Sequence, residues 1–330
     1  MGPIVHIGYH KTGTTWFQDS FYPAVRNRRY IPRAIARAAF LDAGALHFDP
    51  ARTRARLGES PDTMILCEEN LSGGLHNGGL AGNLSKDVAD RILRTLPNAQ
   101  IVIFVRDPLS AIISAWLQYV KGGGTFSLKR YMFGRDRLSP VAPERDEAPG
   151  FRLDHFDAIR LINHYDSLFG PKQVHVFRYE DFRADPRGFA AAYAARFGLD
   201  VDLAHIDWGR RNPSLSRPLL WLARCLNLFT RRAVADKSWL VHIPGWYGFS
   251  RRLLRAANAS GRFGRPLTTN DLLDAGLASR LRAHFASGEQ LLAARLQWQA
   301  RTDQEDKTVL RWRQRPHLHV GPQQSPSYRR

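Results

Sequence analysis

PIVHIGYHKTGTTWFQ, residues 3–18, opens the chain with an apolar β-rich run, a glycine loop and the start of a helix. The phosphate loop of nucleoside triphosphatases reads G-x-x-x-x-G-K-[ST], with its lysine directly after the second glycine. Gly8 and Gly13 occupy both glycine positions here, but Thr14 and Thr15 follow, and Lys11 lies inside the loop. A glycine loop between strand and helix turns several backbone N–H groups toward one place, where the helix dipole also favours an anion. With no lysine after Gly13, the main charge partner of a γ-phosphate is missing. Lys11 stands where it could reach the bridging oxygen of a shorter 5′ diester-like group. The loop is expected to hold a nucleotide without a triphosphate.

Working outward, three further apolar runs read as strands: TMILC (63–67), IVIFV (101–105) and VHVFR (174–178). Between and around them, residues 15–25, 84–96, 108–120 and 154–168 read as helices, and another opens near Pro186. Ser85 is the expected cap of the second, and Pro108 is tolerated in the first turn of the third. Alternating strands and helices imply right-handed crossovers and a mostly parallel sheet. Strands that are apolar throughout are expected to be covered by helices on both faces. The fold class is therefore α/β: a P-loop-like three-layer sandwich around a central, mostly parallel sheet, with a helical C-terminal extension. Residues 1–215 form the expected core, 216–301 a helical extension of the same domain, and 302–330 a tail without periodicity that is expected to fray. The glycine-rich stretch 121–150 is longer than an ordinary connection and reads as a lid or acceptor loop.

Composition narrows the class. A chain of 330 residues with 44% hydrophobic and 24% charged residues is an ordinary globular sequence. Cys67 and Cys225 are the two cysteines, which excludes a disulfide framework and fits a reducing compartment. No run approaches the ~18 apolar residues of a spanning helix, and the first residues lack the basic and apolar regions of a secretory signal. A cytoplasmic protein is expected. The net charge of +18 suits a polyanion, an acidic glycan, an anionic lipid or a phosphate-rich cofactor, and does not choose among them.

Two motifs together choose. KTGTTW (11–16) resembles the 5′-phosphosulfate loop of sulfotransferases that use 3′-phosphoadenosine 5′-phosphosulfate (PAPS). IVIFVRDPLSAIISAW (101–116) resembles the same family's 3′-phosphate motif: a strand, Arg-Asp-Pro, then a helix with a serine two turns in. Arg106 stands at a strand's carboxyl end, where open α/β sheets bind ligands, and Ser114 stands on the adjoining helix. Arg106 before Asp107 and Pro108 after it argue against a magnesium-binding aspartate. A third stretch, residues 174–200, resembles the family's strand, Glu-Asp pair and proline-started helix, with Glu180 and Asp181 in structural roles. The resemblance spans roughly residues 3–215.

The resemblance implies PAPS as sulfate donor, no metal, and transfer to a hydroxyl acceptor. It places the nucleotide on Lys11, Thr12, Gly13, Thr14, Thr15, Arg106 and Ser114, with Trp16 either stacking on adenine or packing beneath the loop. A C-terminal segment that closes on the 3′-phosphate would supply Arg211, Asn212 and Ser214. Lys11 would stabilise the leaving group. Carbohydrate members of the family carry a glutamate base after the second strand. Here ILCEENLSGG (65–74) offers Glu69 as the base and Glu68 as a cap of the loop, with His10 and His76 as alternatives. A carbohydrate or glycolipid acceptor is the resulting expectation. The basic helical stripes at 229–232 and 251–255 could contact an anionic membrane face. A kinase with a degenerate phosphate loop and a nucleic-acid-binding protein are the competing readings. The latter lacks any aromatic–basic surface motif or zinc pattern.

Overall fold

The computed structural model describes residues 2–58, 63–134, 151–209 and 215–313. Five strands make one sheet: β1 (Ile4–Gly8), β2 (Arg29–Ile31), β3 (Met64–Cys67), β4 (Gln100–Val105) and β5 (Val174–Arg178). Their order is β2-β3-β1-β4-β5, and every pairing is parallel. The expectation of a mostly parallel sheet is met by one that is parallel throughout.

Neighbouring residues of each strand enter different cores. Val5, Ile7, Leu66, Ile101, Ile103 and Val176 face one hydrophobic cluster. Ile4, Ile65, Cys67, Val102 and Phe104 face another. Because a strand's side chains alternate between faces, burial of both faces needs apolar residues at nearly every position, which is the pattern the sequence carries.

The helices of eight residues or more are α1 (Arg33–Phe40), α2 (Pro50–Leu57), α3 (Asn83–Thr95), α4 (Pro108–Lys121), α5 (Ala158–Phe169), α6 (Pro186–Phe197), α7 (Arg217–Leu226), α8 (Trp246–Ala259) and α9 (Ala275–Arg313). Side chains of α1, α2, α3 and α5 pack into the first core, and those of α6 into the second. A third cluster joins α4 to α7, Leu254 of α8 and the start of α9. The helical extension thus builds on the helix that follows β4. Farther along, α9 protects the sheet's outer strand: Gln299 accepts from the Val176 N–H at 2.9 Å and donates to its carbonyl at 3.0 Å. An amide that mimics a missing strand neighbour closes an otherwise open edge.

Four details differ from the sequence reading. β2, α1 and α2 lie within residues 29–57, a stretch to which it gives no element; β2 is short and buries only Ile31 fully. The helix after the glycine loop is wound unevenly: α over Thr14–Trp16, π over Phe17–Phe21 and 3-10 over Tyr22–Ala24. Gly82, in the left-handed region, precedes α3 in place of the expected Ser85 cap, while the Ser85 hydroxyl donates to the Ser72 carbonyl at 2.9 Å. Finally, α9 runs past Thr302, where the periodicity fades, to Arg313. Arg196 of α6 clamps Asp303, with one bond at 2.8 Å, and holds that continuation.

Candidate functional site

The chain leaves β1 toward β2 on one side of the sheet and leaves β4 toward β5 on the other. β1 and β4 are neighbours, so their carboxyl ends flank a topological switch point, the place where open α/β sheets bind ligands. The glycine loop follows β1 and Arg106 follows β4. The two motifs the sequence singles out therefore meet at one crevice.

The loop is tightly fixed. The Tyr9 N–H donates to the Phe104 carbonyl of β4 at 2.8 Å, and the Thr12 hydroxyl donates to the Tyr9 carbonyl at 2.5 Å. His10 Nε2 pairs with the Gly73 carbonyl at 2.8 Å. Gly13 has φ 87°, a conformation that calls for glycine, and a Cβ there would crowd the Phe182 ring at 3.2 Å. Lys11 adopts φ 66°, a left-handed conformation that costs a side-chain-bearing residue energy and clusters at functional sites. Thr14 is buried and Thr15 exposed.

Arg106 joins the motifs directly. Its Nη1 donates to the Lys11 carbonyl at 3.0 Å while the guanidinium lies 5.0 Å from the centre of the Tyr179 ring. Its Nε is buried and has no hydrogen-bond partner among the described residues. Ser114 sits half-exposed on α4, two helical turns beyond Asp107, which caps that helix by accepting from the Ser110 N–H at 2.8 Å. Glu180 accepts from the Asp107 N–H at 3.0 Å, the structural role expected of it.

The electrostatics are unusual for cations. Burial, then the nearby charges of Lys121 and Arg106, pull the Lys11 ammonium down to about 8, against partial support from Glu69. Burial likewise lowers Lys121, at the C-terminal end of α4, and Arg106. Three crowded, partly desolvated cations are an arrangement that an anion relieves. Lys121 is absent from the sequence reading, although it lies seven residues after Ser114 and so on the same helix face.

The two glutamates after β3 differ sharply. Glu68 is fully buried; it accepts from Arg33 Nε at 2.5 Å, from the Asn70 N–H at 3.0 Å and from Arg37 at 3.4 Å. Burial opposes its charge, yet Arg33 and Asn70 outweigh that and hold its carboxyl below the usual range. Glu69 retains some exposure. Its Oε1 accepts from Arg33 Nη2 at 2.5 Å and its Oε2 from Gln18 Nε2 at 2.8 Å. Gly8 packs against its backbone, where a Cβ would come within 3.3 Å, so Glu69 borders the root of the glycine loop. Arg33 and Gln18 carry no motif that marks them in the sequence.

Three histidines gather about the loop: His10 and His76 feel the Lys11 charge, and His155 stands beside His10. Burial depresses His10, His76 (to about 4) and His155 (to about 3), so all three are neutral at pH 7. His76 Nδ1 pairs with the Tyr131 hydroxyl at 2.8 Å, while its Nε2 is buried without a partner among the described residues. His10, Thr12, Arg106 and His155 line a small recess under the loop. Trp16 is buried, donates its indole N–H to the Asp207 carbonyl at 2.9 Å, and packs 5.2 Å from Trp208 and 4.9 Å from Phe182. Arg211, Asn212 and Ser214 lie outside the described residues. Among those described, no group of three or more His, Cys, Asp or Glu side chains could hold a metal ion.

A parallel sheet with a glycine loop and a conjoined arginine at its switch point defines an α/β fold of the P-loop-like kind. Residues 85–202, the segment that carries Arg106 and Ser114, match the model of the sulfotransferase family. Among solved structures it is similar to a sulfotransferase from Alicyclobacillus acidocaldarius, at 18% identity over 64% of this chain and 87% of the other, with a TM-score of 0.43. It is also similar to the mouse sulfotransferase SULT7A1 complexed with PAP, at 13% identity over 87% and 83% of the two chains, with a TM-score of 0.38. No curated protein matches the chain.

Proposed function

We propose that the protein transfers a sulfuryl group from PAPS to a hydroxyl of a carbohydrate or glycolipid. The observation that carries this reading is the Arg106–Lys11 hydrogen bond: two anion-binding motifs, each for one end of a bisphosphorylated adenosine, form a single continuous grip. The backbone of residues 12–15 and the Lys11 ammonium receive the 5′-phosphosulfate, and Arg106 with Ser114 receives the 3′-phosphate by a charge-assisted fork and a hydroxyl. Buried and without a hydrogen-bond partner among the described residues, the Nε of Arg106 is a donor in need of an acceptor, which the phosphate supplies. Arg211, Asn212 and Ser214, outside the described residues, are the further 3′-phosphate partners that the sequence resemblance implies.

In the reaction the acceptor oxygen attacks sulfur as the bond from sulfur to the bridging oxygen breaks. The acceptor proton leaves to a base, and the adenosine 3′,5′-bisphosphate carries away the electron pair. Lys11 neutralises charge developing on that leaving oxygen, and positioning does most of the rest. Glu69 takes the proton. Its Arg33 partner fixes the carboxylate, and its Gln18 partner, a neutral and weaker donor, yields Oε2 to the acceptor hydroxyl. Glu68, enclosed by Arg33 and Asn70, holds the turn.

One observation favours a second base: His76 is neutral beside Lys11 and its Nε2 has no partner among the described residues, so it can accept a proton in the tautomer whose Nδ1–H donates to the Tyr131 hydroxyl. Transfer of labelled sulfate from PAPS to a panel of sugars and glycolipids tests the whole reading, with Glu69→Gln and His76→Gln dividing the two bases. Failure to bind adenosine 3′,5′-bisphosphate, together with magnesium-dependent ATP binding, would favour the kinase reading instead.

A further inference from the structure

The segment between α7 and α8 presents an uncommon surface. Residues 239–245, WLVHIPG, are all exposed, Leu240 by 70%. The segment is held in place: the Leu240 N–H donates to the Leu228 carbonyl at 2.8 Å, the Ile243 N–H to the Phe229 carbonyl at 3.1 Å, and the Trp246 indole to the Leu226 carbonyl at 2.9 Å. Backbone and Trp246 are pinned inward while Trp239, Leu240, Val241 and Ile243 are turned to solvent.

The helix that follows extends this face. On α8, Phe249 and Leu253 stand four residues apart, and so one above the other; they are exposed by 60% and 48%. An ordinary surface helix buries its apolar stripe; α8 turns one outward. Arginines flank it. Arg252 and Arg255 are exposed beside Leu253, and Arg231 lies over the Trp239 ring at 4.7 Å. From 237 to 270 the chain carries Lys237, Arg251, Arg252, Arg255, Arg262 and Arg265 and neither Asp nor Glu.

We infer that this face, residues 239–256, docks the protein on an anionic lipid bilayer. Apolar and aromatic side chains enter the boundary between headgroups and acyl chains, and the arginines engage the anionic headgroups around them. Charge and apolarity together select this occupant. A nucleic acid would satisfy the arginines but offers no medium for Leu240, Val241 and Ile243. A second copy joined face to face would set Arg252 and Arg255 against themselves. The inference does not depend on the reaction. It does carry a consequence for it, because the Tyr247 hydroxyl donates to the Lys121 carbonyl at 2.9 Å, which ties this face to the cation beside Lys11.

The full chain, sedimented with vesicles, reads the surface without turnover. Binding is expected to vesicles that are about one-third phosphatidylserine, to be far weaker to pure phosphatidylcholine, and to fall with added salt. Leu240→Ser with Ile243→Ser should weaken binding about tenfold, and Arg252→Glu with Arg255→Glu about 30-fold or more. An unchanged melting temperature shows that each variant folds, as substitutions at exposed positions should. Equal binding to both vesicle types, or to neither, overturns the inference. So does a dimer that the serine variant splits, which gives the face to a second copy. DNA binding insensitive to the serine variant, with no vesicle binding, would give it to a polyanion.

Discussion

The cations at the sheet's carboxyl end and those on the outer face of the helical extension contribute to the same net charge but stand in opposite surroundings. Lys11, Arg106 and Lys121 are half-buried, crowd one another, and are each lowered by burial. Arg252 and Arg255 stand in water beside exposed Phe249 and Leu253. The first group is costly to keep charged and so is suited to one close-fitting anion. The second costs nothing to keep charged and is suited to a broad surface. A formal charge of +18 cannot tell these apart, because the distinction is one of desolvation rather than of count.

Experiments can sharpen the contrast, beginning with the largest effect. Glu69→Gln should lower kcat by about 10²–10⁴-fold with bisphosphate affinity nearly unchanged; full turnover by that variant, measured with labelled donor, would move the base to His76. Lys11→Ala removes a preorganised donor and should lower kcat by about 10²–10³-fold. Arg106→Ala should weaken adenosine 3′,5′-bisphosphate by about 10–100-fold in calorimetry, the range for a hydrogen bond to a charged group. If affinity instead survives, the arginine serves only the loop.

The pH dependence isolates the crowded group. In the free protein Lys11 titrates near 8, and a bound phosphosulfate analogue must raise that value. Below about pH 8 the ammonium is already formed, so affinity should be level. Above it, binding must take up a proton, and affinity should fall by up to about tenfold per pH unit until the pH reaches the raised value. Calorimetry at pH 8.5 in buffers of different ionisation enthalpy reads that uptake. The smallest expected change is Ser114→Ala, about three- to tenfold weaker for the bisphosphate, as loss of one hydroxyl–phosphate bond predicts.

Much of this was legible in the sequence because it depended on local patterns. Apolar runs located β1, β3, β4 and β5, and the loop and Arg-Asp-Pro spacing located the two motifs that meet at the switch point. What escaped is tertiary. Arg33 is one basic residue among many in the sequence, and its value comes from α1 being laid across the end of β3, where it meets Glu68 and Glu69. β2 buries too little to leave an apolar run. Residues 300–305 of α9 include none that is fully buried, so periodicity fades there while helical propensity and the Arg196–Asp303 pair maintain the helix. Trp239 to Ile243 read simply as part of a helical region, since nothing local tells that a hydrophobic stretch faces outward.

The bond from Arg106 to the Lys11 carbonyl has an effect on timing as well as on shape. In the proposed reaction, a mobile glycine loop would have to be frozen each time a donor arrived and would thaw each time the spent nucleotide departed. A loop cross-braced to the neighbouring strand would stay set between turnovers of that reaction, so the entropic toll of assembly would fall at folding and not in the cycle.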